Sequence, residues 1–422
     1  MFDFSQKSRL LHFRALYPSG LLPVLLFFLC ICSSYKSIAA DTKPLTKEDY
    51  ILDIEDYKNK IIKNHAHPFN YITRQQFLDS VAAFQSRAPQ MNIDELKVGF
   101  LKLNALLLDP HTNVDLPRDK FLPLMVNMFD DGVILIGTSF QYSSYLGARI
   151  LEVEQTPIDT LLQKLRCLVG ANNQSWIKYS LPRILSVADY LAGMHLISSK
   201  DSVPLTLLVD KDTVHFKMAT ENQYSMEMQY FKSAKPMLRS GNSQNYWYKY
   251  IEDKKAIYIQ YQSCIEMPDK PMAKFQETVL ADIHRLNPER IIIDMRYNSG
   301  GRVPLFTPFI KAMARDSICQ LKKTAVLIGR RTFSAAIWNT FEMKNQLKAT
   351  LIGEETGGDL NHPGAVYTFD LKHTKIKVAY SKYDFYLDAT VKAGILPDIP
   401  VKKLSDDYKN GIDPELEKAF TY

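Results

Sequence analysis

The chain has 422 residues, enough for two or three domains and a large core. Its apolar fraction of 46% and charged fraction of 23% are those of an ordinary soluble protein. The net charge is only +6, Lys and Glu are interspersed, and no basic stripe is interleaved with aromatics, which excludes nucleic acid as a partner.

The first forty residues differ from the rest. Lys7, Arg9, His12 and Arg14 precede the apolar run Leu21 to Cys32, and Ser37-Ile38-Ala39-Ala40 follows as a small-residue cleavage site. That is the three-part layout of a signal peptide over residues 1–40, and it predicts a periplasmic or extracellular protein. The run is too short to span a bilayer comfortably, so no stable membrane span is expected after cleavage. A lipoprotein reading through Cys32 needs a small residue before the cysteine, and Ile31 stands there. Beyond this segment Cys167, Cys264 and Cys319 are odd in number and widely spaced, so they form neither a disulfide framework nor a zinc motif and read as buried thiols.

Residues 42–117 read as an N-terminal helical domain. Leu45 to Lys63, Thr73 to Phe84 and Ile93 to Leu108 carry apolar residues at helical spacing, and Asp109-Pro110 is expected to stop the last of them. Residues 118–240 change to short strands and turns. Strands are expected at Gly132 to Gly137 and Ala148 to Val153, then a helix from Ile158 to Leu168 and a hairpin from Val203 to Met218. This α+β region resembles a PDZ-like module. Residues 245–422 alternate strands with helices, which implies a mostly parallel sheet with crossover helices. The strands Ala365 to Leu371 and Ile376 to Tyr380 are expected to close this domain.

Two junctions in the last domain carry chemistry. Ser334 lies between the strand Thr324 to Gly329 and a helix from about Ala335, where helix N–H groups favour developing negative charge. Upstream, the strand Ile291 to Arg296 ends in Tyr297-Asn298-Ser299-Gly300-Gly301, a glycine pair that exposes backbone N–H groups. The N–H groups of Gly301 and Ala335 are therefore the candidate oxyanion hole for a Ser334 nucleophile. The competing reading of Ser334 alone is a helix cap.

Four segments, in order, resemble the carboxyl-terminal processing (tail-specific) protease family: Ile292 to Gly301, Thr332 to Ala336, Leu351 to Gly358 and Gly394 to Ile399. The resemblance implies an α/β, crotonase-like catalytic domain of repeated ββα units, hydrolysis of polypeptides by a serine, and no cofactor. Many members pair the serine with a lysine in a Gly-Lys-Gly; here Asp359 stands at that place, and no lysine lies between Lys348 and Lys372. Another branch, similar to the tricorn core protease, takes a histidine from the helical part, and Leu106 to Thr112 resembles that segment. His111 is then the general base, since imidazole can shuttle the serine proton. The carboxylate that orients it stays open between Glu354 and Asp388, with Glu355 and Asp359 also available. Asp294 and Arg296 are expected to pin the glycine turn, and His362 to shape the substrate groove. His65 and His67 lack a third ligand, so no metal is expected. The alternatives to a secreted endopeptidase are a non-catalytic binding protein on the same fold and a hydrolase of esters or small peptides.

Overall fold

The computed structural model describes residues 44–222, 226–239, 241–391 and 393–422, so the signal-peptide reading lies outside the described residues. Three helices come first: α1 (Lys47–Asn64), α2 (Arg74–Arg87) and α3 (Ile93–Ala105). Each begins with a capping box. Thr46, Thr73 and Asn92 accept from the third backbone N–H, and Asp49, Gln76 and Glu95 return the bond. Tyr50, Tyr57 and Phe84 pack around the Phe100 ring. Helix α3 stops at Ala105 and not at the proline, because residues 106–108 turn away and Leu108 takes φ 49°.

Strand β1 (Asn113–Val114) follows at once. Next come β2 (Leu124–Phe129), β3 (Gly132–Ser139), β4 (Arg149–Val153) and β5 (Thr156–Pro157). Helices α4 (Ile158–Leu165), α5 (Gln174–Leu185) and α6 (Ala188–Gly193) precede β6 (Ser202–Val209), β7 (Asp212–Ala219) and β8 (Met228–Tyr230). The sheet runs β2-β3-β4-β6-β7, with β5 on β4 and β8 on β3. Helices α5 and α6 were not expected; Pro182 inside α5 obscures its helical pattern.

The chain then builds a second, six-stranded sheet. Strands β9 (Tyr246–Ile251) and β10 (Ala256–Tyr261) pair antiparallel. Helix α7 (Met272–Leu286) leads to β11 (Arg290–Asp294), and α8 (Thr307–Arg315) and α9 (Ser317–Gln320) lead to β12 (Lys323–Ile328). Helix α10 (Ala335–Gln346) leads to β13 (Thr350–Gly353). Strands β14 (His362–Asp370) and β15 (Lys377–Phe385) come before β16 (Ile399–Pro400), which completes the order β16-β13-β12-β11-β10-β9. Within this sheet β10, β11, β12, β13 and β16 all pair parallel. The central strands are apolar on both faces, as a covered parallel sheet requires. Ile291, Ile293, Val326 and Ile328 join the main core, while Ile292, Ala325 and Leu327 face Leu416 and Ala419. Those two residues belong to the second of the last helices, α11 (Ser405–Asn410) and α12 (Pro414–Thr421).

One pairing differs from expectation and brings the candidate site together. Strands β14 and β15 do not extend the six-stranded sheet but form a separate antiparallel sheet with β1, in the order β1-β15-β14. Asn113 pairs with Ala379 and Val114 with Val378, so the segment just after His111 is stapled to the last third of the chain. Cys264 and Cys319 are buried free thiols, but Cys167 is exposed, contrary to the sequence reading, at the short helical turn after α4. Among the described residues no helix is long and apolar enough to cross a membrane.

Candidate active site

Ser334 follows β12 through the loop 329–333 and immediately precedes α10. Its backbone sits at φ 55°, ψ −127°, a region serine rarely enters and that costs about 1–3 kcal/mol. The loop is held there by bonds on every side. Thr332 Oγ1 donates to the Met295 carbonyl at 2.9 Å, Phe333 N–H donates to the Asn298 carbonyl at 3.0 Å, and Gly357 N–H donates to the Thr332 carbonyl at 2.9 Å. Ser334 makes no side-chain cap bond to α10. The helix-cap reading therefore does not describe it; the hydroxyl is held at a strained, partly exposed corner instead.

The glycine turn lies against that corner. Gly300 takes φ 98°, and a β-carbon on it would fall 2.8 Å from Ser334 Cβ and 3.0 Å from Ala335 N. Gly301 takes φ 134° and passes so close to the Cys264 carbonyl that a β-carbon would fall 2.5 Å from it. Asn298 shapes the turn by accepting the Gly300 N–H at 2.9 Å and donating to the Tyr261 carbonyl at 3.0 Å. The Gly300 N–H is thus engaged. The Gly301 N–H has no hydrogen-bond partner among the described residues, and the Ala335 N–H lies in the first turn of α10, where N–H groups lack intrahelical partners.

His111 is brought to the same corner by the β1–β15 pairing. Its ring stacks on Phe333, the residue before Ser334, with centroids 4.4 Å apart, and on His362 at 5.1 Å. Phe333 is sandwiched from its other side by Trp176 of α5 at 4.2 Å. The imidazole is only 6% exposed, yet neither ring nitrogen has a hydrogen-bond partner. Among the described residues no hydrogen bond joins it to Ser334.

The carboxylate facing His111 is Asp109, with Oδ1 at 3.6 Å from Nδ1 and 3.0 Å from the His111 backbone N–H. Its Oδ2 accepts from His65 Nε2 at 3.0 Å and from the Thr112 and Ser381 hydroxyls, each at 2.6 Å. His65 Nδ1 accepts the His67 N–H at 3.1 Å, which leaves the ring proton on Nε2 to donate to Asp109. Burial pushes the Asp109 carboxyl up, but the nearby His111 imidazole, at 3.6 Å, and the bonds from His65 and Ser381 outweigh it and hold it well below the usual carboxylate range.

Neither expected carboxylate is brought to His111. Glu354 is engaged by Arg330 at 2.6 Å and Lys403 at 2.9 Å. Asp388 lies on the surface, where it accepts from the Thr390 hydroxyl and N–H. Asp294 and Arg296 do pin the end of β11: Arg296 is buried between Asp294, Asp413 and Glu415. Asp359 lines the opening beside His111 and Phe333 together with Asn173, whose amide donates to Glu355 Oε1 at 3.2 Å. Burial raises both carboxyls, and the neighbouring Asp359 raises Glu355 further. His362 Nδ1 donates to the Asp359 carbonyl at 2.8 Å, and burial beside His111 lowers its imidazole to about 4, so it stays neutral near pH 7. The residues missed by sequence reasoning are Asp109, Asn173 and Trp176. Asp109 alone left a signal, an acid two residues before the histidine.

No family model matches the sequence, and no curated protein does. Solved structures do. Mature CPAF superposes with a TM-score of 0.64 at 12% identity, covering 88% of this chain and 96% of that one. Mature CPAF complexed with lactacystin gives 0.62 at 13% identity, covering 88% and 97%. A photosystem II D1 C-terminal processing protease aligns more loosely, with a TM-score of 0.38 at 14% identity over 87% of this chain and 98% of that one. At such identities the fold is what is shared, and on it this chain folds as mature CPAF does.

Proposed function

We propose that this protein is a serine-type endopeptidase acting on polypeptides. Ser334 Oγ attacks the scissile carbonyl, His111 takes the serine proton and later gives it to the leaving amine, and the Gly301 and Ala335 N–H groups receive the oxyanion. Asp109 holds His111 and balances its charge when protonated; it replaces Glu354 and Asp388 in that role. The observation that carries the reading is the strained Ser334 corner, uncapped and adjoined by a histidine whose two nitrogens are unbonded. Strain of this kind persists only where the surroundings over-determine it, and it gathers at reactive residues. Hydrogen bonds between base and nucleophile are often formed only with substrate in place. In this reading the six-stranded sheet with α7 to α10 is a crotonase-like catalytic domain, the β2–β8 sheet a PDZ-like module, and residues 1–40 an export signal.

The fitting test is digestion of denatured casein. Wild-type protein cleaves it, and Ser334→Ala, shown to be folded by circular dichroism, does not. Equal cleavage by both would remove Ser334 from the chemistry. A second reading, a binding protein on the same fold, is favoured by the stacking of His111 on Phe333 in place of a bond to Ser334. It predicts that folded wild-type protein leaves casein intact.

A further inference from the structure

Glu355 and Asp359 are acidic side chains that this chemistry leaves unused. They stand on the loop after β13, which is fastened beside the nucleophile corner. The Gly357 N–H bonds the Thr332 carbonyl, and Gly358 lies so near Phe333 that a β-carbon would fall 2.8 Å from its ring. Asn173 donates to Glu355 and lines the same opening as Asp359, and Gly394 leaves room: a β-carbon there would come within 2.7 Å of Asn173 Nδ2 and 3.0 Å of Glu355 Oε1. Among the described residues no lysine, arginine or histidine side chain forms an ion pair with either carboxylate, although Glu354, the adjacent residue, is gripped by two cations. Two neighbouring carboxylates without a cation repel each other, which is the strain a cationic ligand relieves.

A second observation points to a ligand at the same place. Asp359 and Tyr71 line one opening together with His111, Asn173 and Phe333. His111 is 6% exposed there, with both ring nitrogens unbonded. Buried polar groups are nearly always hydrogen-bonded, so an unbonded one in an opening marks where a bound molecule completes the set. Asp109 already serves as the charge partner of His111, so Asp359 is not needed for that purpose.

We propose that Asp359 and Glu355, on either side of Asn173, form an anionic subsite that takes a lysine or arginine side chain of the polypeptide substrate beside the bond Ser334 attacks. The proposal rests on the reading of Ser334 as the nucleophile. An ammonium or guanidinium group there makes charge-assisted hydrogen bonds in a partly desolvated setting, where they are strong.

The test has two arms. In the first, termini released from denatured casein are mapped by mass spectrometry, and a peptide bearing the commonest site is compared with copies in which its basic residue is norleucine or glutamate. Lysine or arginine is expected at one fixed position from the cleaved bond, and the glutamate copy is expected to lose about tenfold or more in kcat/KM. The Asp359→Asn/Glu355→Gln double variant should lose that discrimination mainly through KM. In the second arm, benzamidine and its neutral isostere benzamide are titrated onto folded Ser334→Ala protein by ligand-observed NMR. Benzamidine should bind at least about fivefold more tightly than benzamide, and the two carboxylate substitutions should abolish the difference. Cleavage without a basic preference, or discrimination that survives the double variant, overturns the subsite while the nucleophile stands. If casein is untouched, the nucleophile reading fails and the benzamidine arm alone decides: equal binding of the two compounds overturns the subsite.

Discussion

Asp109 is where the chemistry of single residues is most exposed to test. All four groups that meet its carboxylate are donors: the His111 N–H, His65 Nε2, and the Thr112 and Ser381 hydroxyls. Asp109→Asn keeps the shape but turns an NH2 toward those donors, so it should cost about 1–3 kcal/mol in urea unfolding. It should also slow casein cleavage by about 10²–10⁴-fold, since His111 loses the charge that steadies its protonated form. Because the native carboxyl is held below its ordinary range, its stabilisation is complete above the unfolded value of about 3.9 and is lost as pH falls below it. The stability gap between wild type and Asp109→Asn should thus be constant from pH 7 to 5 and shrink below pH 4. A gap that grows in acid would contradict the assignment. Ser334, Gly301 and His111 were singled out in the sequence because their segments resemble, in order, those of a protease family, and the structure stacks His111 on Phe333, next to Ser334. Asp109 was not, since its partners His65 and Ser381 are brought to it only by the fold.

At the scale of elements, the ends of β11, β12 and β13 are tied to the C-terminal helix by buried charge. Arg296, just past β11, is bound by Asp294, Asp413 and Glu415; Lys403 joins Glu415 to Glu354; and Arg330, in the Ser334 loop, joins Glu354 to the Met128 carbonyl in β2. The network fixes the turn that presents Gly300 and Gly301. Removing one partner of a buried ion pair strands the others, so Arg296→Leu should lower stability by about 3–5 kcal/mol. Casein cleavage at a temperature where the variant is still folded should fall as well. Unchanged urea unfolding would show that the network does not hold the turn. The sequence announced β10 to β13 and their crossover helices plainly, because buried parallel strands are unbroken apolar runs. It did not announce that β14 and β15 leave that sheet for β1, since alternating strands read alike whichever edge they join. That pairing fastens the segment just after His111 to the C-terminal part of the chain.

Across the whole molecule, one apolar core runs from Tyr50 in the first helix to Ile395 near the end. Asp53 and Asp56 of α1 bind the backbone of the turn at Lys372 to Thr374, which anchors the N-terminal helices to the β14–β15 hairpin. His111 and Phe333, the residue before Ser334, are thus more than two hundred positions apart in sequence, yet stack within a continuous interior. The central claim is that they act as one catalytic unit. Labelling with a fluorophosphonate tests this most directly, because it reports an activated serine without requiring the natural substrate. Wild-type protein should be labelled at Ser334, as located by mass spectrometry; Ser334→Ala should not be labelled; and His111→Ala, still folded, should react at least about a hundredfold more slowly. Folded wild-type protein that stays unlabelled, or label that arrives equally fast without His111, would contradict the account.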